Sequence, residues 1–351
     1  MAMHQIKSHT IGCLLHQIFG EFIPGRLNYA VRAFFFYMKI LVFGAGAVGG
    51  YFGGKLHKSG SDVTFLVREL RRKQLATTGL KIFSPHGDFD VDVRCRTIED
   101  KAENFDLVLF SCKAYHLEQA CADLKKYLKT PTLILPVLNG LSHLGKLQAC
   151  FGKSNVLGGT AHIAATLTAE GYIKQLNPLQ ILTFGQLIHT QENKVLDDFA
   201  AECEKANFKA FIATNIMQSM WDKWTFLATL AGSTVLFRNS VGAITETETG
   251  AQLMLRMYKE CLAVADVIGQ KVSDKAEKKA LGILMEPASD FTSSMLRDLI
   301  AGTLTEHNHI LGELVRIGKQ HKIDMPLISA AHISVCADYS KLRSSLLEKR
   351  P

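Results

Sequence analysis

The sequence predicts an α/β chain in which a doubly wound parallel sheet is followed by an all-helical domain. Three observations carry this. Short β-rich runs alternate with helical stretches between residues 39 and 138, the order that builds a parallel sheet covered on both faces. A glycine loop of the form G-x-G-x-x-G, Gly44-Ala45-Gly46-Ala47-Val48-Gly49, follows the first of those runs directly and opens a helix. From Asn215 onward strand signals vanish and nearly every segment has helical period. The expected organisation is a leader over residues 1–37, a Rossmann-type sheet domain over 38–213 and a helical domain over 214–351.

The leader holds Lys7, Arg26 and Arg32 against a single acid, Glu21, and its apolar stretch is interrupted by His16 and Gln17. That is a poor signal-peptide core, and no small-x-small cleavage site follows it. A disordered leader or an upstream start is expected, with a transit peptide as the weaker alternative, and no function is assigned to it. Met38 then opens the first strand, Lys39–Phe43. Further strands are expected over 62–67, 106–111 and 132–138, with a helix over 115–129. Between them, runs at 80–83 and 89–95 flank the turn Ser84-Pro85-His86-Gly87-Asp88 and read as a hairpin insertion. A second β-rich patch covers 156–168, 172–175 and 181–185, followed by a helix over 191–206 and a strand over 208–213.

Composition narrows the function. At 351 residues with 47% hydrophobic content the chain can bury a sizeable core and exceeds most single domains. Its net charge of +7 comes without long basic runs, so nucleic acid is not an implied partner and small anionic ligands suit it better. The longest charge-free apolar stretches, 40–54 and 224–237, fall short of the ~18 to 20 residues of a membrane-spanning helix, and the first contains six glycines. Eight scattered cysteines with no C-x-x-C pair read as reduced thiols, and the expected compartment is the cytoplasm.

The glycine loop sits between a strand and a helix, with a second strand ending near Val67, which is the full context of a dinucleotide fingerprint. Gly44 would allow the tight turn, Gly46 the close approach of the pyrophosphate and Gly49 the close packing of the helix. Sites that prefer NAD place Asp or Glu at the end of the second strand; here Arg68 stands there, and a guanidinium suits a 2′-phosphate. The expected cofactor is NADP(H), with Arg68 the expected phosphate partner and Arg71 and Arg72 a turn later; the alternative is that Arg71, Arg72 and Lys73 are only a solvated face. Beyond the carboxyl ends of later strands fall Lys113 and Asn139, where open α/β sheets bind their ligands.

These residues carry a resemblance. The glycine loop beside Met38, Ser111-Cys112-Lys113-Ala114, Leu138-Asn139-Gly140, Trp221-Asp222-Lys223-Trp224, and Ser293-Ser294-Met295-Leu296-Arg297-Asp298 followed by Thr305-Glu306 resemble, in order and spacing, the ketopantoate reductases (2-dehydropantoate 2-reductases) over residues 38 to 330. The loop is generic; the S-S-M-x-x-D segment, with a glutamate twelve residues after its second serine, is specific. The resemblance implies reduction of 2-dehydropantoate by NADPH to pantoate, on the route to pantothenate and coenzyme A. It makes Lys223 the general acid and Glu306 the glutamate that helps hold substrate and lysine. Asn139 and Ser294 correspond to substrate-side hydrogen-bonding groups, and Lys113 to the lysine near the nicotinamide. The family usually presents asparagines four and eight residues after the lysine, where this chain has Leu227 and Ala231, and an acidic residue where it has Asn308.

The chemistry stands independently. Hydride reaching a carbonyl carbon leaves negative charge on oxygen, which a positioned ammonium both stabilises and protonates. Burial between Trp221 and Trp224 would lower the pKa of Lys223, and a carboxylate such as Glu306 would raise it. Two rival readings remain: an NADP-dependent reductase of a less polar 2-keto acid, and a non-enzymatic NADP-binding sensor. No metal site is expected, since His307 and His309 would face different sides of a helix, and His162 and His189 have no evident partners. The apolar helical domain suits a homodimer.

Overall fold

A computed structural model describes residues 38–188 and 193–348. The leader, His189 and the start of the helix expected at 191–206 lie outside the described residues.

Strand β1 (Lys39–Phe43) is central to a five-stranded parallel sheet of order β5-β2-β1-β6-β7, with β2 Asp62–Leu66, β5 Arg94–Arg96, β6 Leu107–Phe110 and β7 Leu133–Pro136. Ile40 pairs with Val63 on one side and Leu107 on the other. Because successive side chains of a strand point to opposite faces, Ile40 and Val42 pack with Tyr51, Phe52 and Leu56 of α1 (Ala47–Lys58), while Leu41 packs with Leu117 and Leu124 of α3 (Leu117–Tyr127) and Leu147 of α4 (His143–Phe151). Both faces of β1 are therefore dry, which is why it reads as a continuous apolar run. The chain winds outward from β1 to β2 in one direction and from β6 to β7 in the other, so the switch point of the sheet lies between β1 and β6. Helix α2 (Glu69–Thr78) follows β2.

One expectation needs correction. The run at 89–95 is two strands: β4 (Phe89–Val91) pairs antiparallel with β3 (Leu80–Phe83), whereas β5 leaves that pair and joins the main sheet beside β2. The Arg94 guanidinium holds it there, donating to Thr64 Oγ1 at 2.6 Å and to Asp62 Oδ1 at 2.7 Å. Nor is the insertion a lone hairpin. It continues through β10 (Ile173–Gln175) and β9 (Ala165–Leu167) into a four-stranded sheet of order β4-β3-β10-β9. A third sheet joins β12 (Lys209–Ile212), β11 (Ile181–Gln186) and β8 (Leu157–His162), with α5 (Lys194–Lys205) between β11 and β12.

After β12 the chain is helical. Helix α6 (Ile216–Phe237) starts at an Asn215 cap that accepts from Gln218 N. It is packed by α8 (Gly250–Val267), α10 (Ser294–Ile300) and α12 (Pro326–Glu348), with α7 (Val241–Thr245), α9 (Asp274–Leu284) and α11 (Glu313–Gln320) completing the set. Its buried Thr225, Thr229, Ser233 and Thr234 are tolerated because each hydroxyl donates to a carbonyl one turn back. A single π-helical turn, Asn308–Gly312, directly follows the Glu306-His307 pair.

Candidate active site

The first half of the site is the cradle at the end of β1. Gly44 has φ +91°, a left-handed turn that its neighbours would resist with any side chain, and its N–H donates to Leu66 O at 3.0 Å. A Cβ on Gly49 would lie 2.4 Å from Ser111 Oγ and 2.5 Å from Gly44 O, so α1 packs directly on the end of β6; Ser111 Oγ accepts the Gly49 N–H at 3.0 Å. A Cβ on Gly46 would meet nothing within 4 Å. The open side of the cradle is thus at Gly46, where the first turn of α1, Ala47 and Val48 included, has no capping side chain and no acid. Ala45 is buried beneath it. A helix N-terminus with free N–H groups and room beside it fits a pyrophosphate.

Arg68 caps α2 at the end of β2, exposed, and its guanidinium makes no hydrogen bond or ion pair among the described residues. Arg71 is not part of a solvated face. Its guanidinium is partly buried over the glycine loop, donating to Ala45 O at 3.2 Å and Gly171 O at 2.9 Å, while Nη2 is buried without a partner. Arg72, in contrast, forks onto Glu69 at 2.8 and 2.9 Å.

The second half gathers residues from both parts of the chain. Lys223 points from α6 to the end of β7 and the edge of β8: Nζ donates to Asn139 Oδ1 at 3.0 Å and to Ala161 O at 2.8 Å. Burial lowers its pKa to about 8, with Glu306 pulling the other way. Beside it is a narrow recess of about 10 Å³, room for one water-sized group, lined by Asn139, Thr160, Lys223, Met220, Trp224 and Leu227 among others. The Thr160 hydroxyl is buried there without a hydrogen-bond partner.

Glu306 is 9% exposed, and its carboxylate accepts from Ala114 N at 2.9 Å and pairs with Lys113 Nζ at 3.6 Å. Lys113 also pairs with Asp298 at 2.8 Å. Burial disfavours the Lys113 ammonium, but Glu306 and Asp298 outweigh it and leave its pKa raised. The glutamate is therefore bonded to the Lys113 loop and acts on Lys223 through space. Ser294 opens α10, and its hydroxyl makes no hydrogen bond among the described residues; Ser293 before it is the cap, accepting from Leu296 N. Helix α10 ends at Ile300 and Glu306 precedes the π turn, so Ser294 and Glu306 do not share one helix, and Lys113 meets both segments. Trp224 Nε1 donates to Ile310 O at 3.0 Å, fastening that turn to α6.

The profile described as "Ketopantoate reductase PanE/ApbA" matches residues 40–188, and "Ketopantoate reductase PanE/ApbA C terminal" matches residues 215–333. The "Uncharacterized oxidoreductase YkpB" of Bacillus subtilis is 33% identical over 300 residues, covering 85% of this chain and 98% of that protein. The chain belongs to the ketopantoate reductase family. A "2-dehydropantoate 2-reductase" of Pyrococcus abyssi is 26% identical over 83% of this chain and 94% of its own. Among solved structures, a D-mandelate dehydrogenase with NADH and anilino(oxo)acetate superposes with a TM-score of 0.79 at 23% identity, covering 87% of this chain and 100% of its own. A PanE/ApbA family ketopantoate reductase from Ralstonia eutropha gives 0.78 at 24%, with the same coverage.

As a ketopantoate reductase family member the protein is an oxidoreductase using a nicotinamide cofactor, which sets aside the sensor reading. Of the two positions four and eight residues after Lys223, Leu227 lines the space beside Lys223, whereas Ala231 is buried in the helical core. Larger depressions around Lys39 and Asn104 lie at the amino ends of β1 and β6, the wrong end of the sheet for ligands. No described helix is long and apolar enough to cross a membrane. Sequence reasoning missed Thr160, Arg71 and Asp298 as parts of the site. Asp298 was within reach, standing one turn after Ser294 in the specific motif.

Proposed function

We propose that the protein reduces 2-dehydropantoate to pantoate with NADPH, Lys223 being the general acid. The observation that carries this is the Lys223 ammonium, held between Asn139 Oδ1 and Ala161 O with a pKa near 8, at the mouth of a space that takes one oxygen atom. Glycines 44, 46 and 49 with Ala45, Ala47 and Val48 would hold the pyrophosphate, and Arg68 would supply the guanidinium for a 2′-phosphate. Bound NADPH supplies a hydride to the keto carbon. As charge grows on the keto oxygen, Lys223 Nζ stabilises it and passes it a proton. Asn139 orients Lys223, Lys113 would serve the nicotinamide end, Ser294 and Thr160 offer the substrate unpaired hydroxyls, and Glu306 offers the lone pairs left by Ala114 and Lys113. The helical domain from residue 214 thus supplies the acid and the sheet domain from residue 38 the nucleotide cradle.

A second reading, reduction of a less polar 2-keto acid, is favoured by Leu227, which brings no donor to the space beside Lys223. NADPH oxidation by purified protein against 2-dehydropantoate and 2-oxoisovalerate separates them. An apolar analogue reduced at least ~tenfold more efficiently, a difference of about 1.4 kcal/mol in transition-state binding, selects the second reading.

A further inference from the structure

At the start of the π turn that follows Glu306, three metal-ligating side chains from two parts of the chain meet. His307 comes from the start of the π turn, and His332 and Cys336 lie one helical turn apart on α12. Their ligand atoms all lie within 4.8 Å of one another. We propose that His307, His332 and Cys336 bind a single zinc ion that fastens α12 to the turn carrying Glu306.

Tetrahedral zinc with bonds of ~2.0 to 2.1 Å to nitrogen and ~2.3 Å to sulfur sets a nitrogen-to-sulfur edge of about 3.5 Å. His332 Nε2 and Cys336 Sγ stand 3.5 Å apart. Thr305 Oγ1 lies 2.8 Å from His307 Nδ1, so the ring is oriented by one nitrogen and offers the other, the arrangement that ligating histidines adopt. Asn308 Oδ1 lies 2.9 Å from His332 Nε2, a hydrogen bond that steadies the ring and that the metal would replace, and water supplies the fourth ligand. The ring of Tyr339, 5.3 Å from that of His307, limits the movement of the imidazole. Burial holds both imidazoles below the usual histidine range, the direction that favours the neutral ring a metal takes. Burial pushes the Cys336 thiol up, so it must give up its proton to ligate. The sequence hid the cluster because His307 precedes His332 by 25 positions, and its near neighbour His309 faces Ser142 and His143 instead.

The test uses the full chain, stripped by chelator and titrated with cobalt(II) and then zinc. One equivalent of cobalt should give a tetrahedral visible spectrum with a thiolate-to-cobalt charge-transfer band, bleached as zinc displaces it. Cys336→Ser should abolish that band, and His332→Gln should weaken zinc, measured against a chromophoric chelator, by roughly a hundredfold or more. X-ray absorption of the zinc-loaded wild type, which needs no variant to fold, should show one sulfur and three nitrogen or oxygen neighbours. A sulfur-free first shell, a band that survives Cys336→Ser, or His332→Gln binding as tightly as the wild type would each overturn the assignment. None of these readouts depends on the keto acid reduced.

Discussion

The pKa of Lys223 near 8 predicts a specific pH profile. Burial moves the ammonium from its ordinary 10.5 to about 8, a displacement worth ~3.4 kcal/mol at about 1.36 kcal/mol per unit. A general acid works only while protonated, so kcat/KM, which reports the free enzyme, should be level below pH 8 and fall roughly tenfold per unit above it. His143 and His162 are each held at about 3, chiefly by burial with the Lys223 charge adding to it, so neither contributes a limb near neutrality. The perturbation is Glu306→Gln, which retains an oxygen to accept from Ala114 N but removes the carboxylate that favours the charged lysine. A charge beyond hydrogen-bond reach in a partly solvated site contributes ~1 kcal/mol, so the limb should move down by about one pH unit. Initial rates of NADPH oxidation across pH 6 to 10 with a keto acid measure both. A wild-type profile flat to pH 9.5, or a limb that Glu306→Gln leaves in place, would refute Lys223 as the titrating acid.

Three further outcomes follow from the site. Arg68→Ala should weaken NADPH by about ten- to a hundredfold and NADH little, whereas Arg71→Ala, which unbraces the glycine loop at Ala45, should weaken both; fluorescence titration reads each. Thr160→Val removes a buried hydroxyl that has no partner, so the melting temperature should hold or rise while keto-acid KM increases, since ~1 to 3 kcal/mol of hydrogen bonding to substrate is lost; an unchanged KM would take Thr160 out of the site. Leu227→Asn should improve kcat/KM for 2-dehydropantoate relative to 2-oxoisovalerate, and Ala231→Asn, at a core position, should cost stability without shifting preference; specificity constants and thermal melts for the two variants check this.

The fold was largely legible because its signals are local. Apolar runs buried on both faces mark β1, β6 and β7, the period of 3.6 marks the helices after Asn215, and the glycine loop declares a backbone that a side chain would obstruct at Gly44 and Gly49. Where pairing is non-local, the reading stopped: β3 meets β10 across some ninety residues of chain, and nothing in residues 80–95 says so. The candidate residues were nameable from the sequence, Lys223, Asn139, Ser294, Glu306 and Lys113 by motif and Arg68 by its place after β2.

What the sequence by itself determined is which chemical groups the protein owns and which segments carry them at strand and helix ends. Only the tertiary structure decided who meets whom: Glu306 bonds Ala114 across 192 positions, Lys113 takes Asp298 across 185, and Lys223 leans on Asn139 across 84, while Ala231 turns into the core. The physical reason is that propensity and periodicity act over a few residues, whereas the direction of a buried charge is settled by the donors, acceptors and dry surfaces that packing brings around it. A lysine's burial, and hence its pKa, is a property of its neighbours in space.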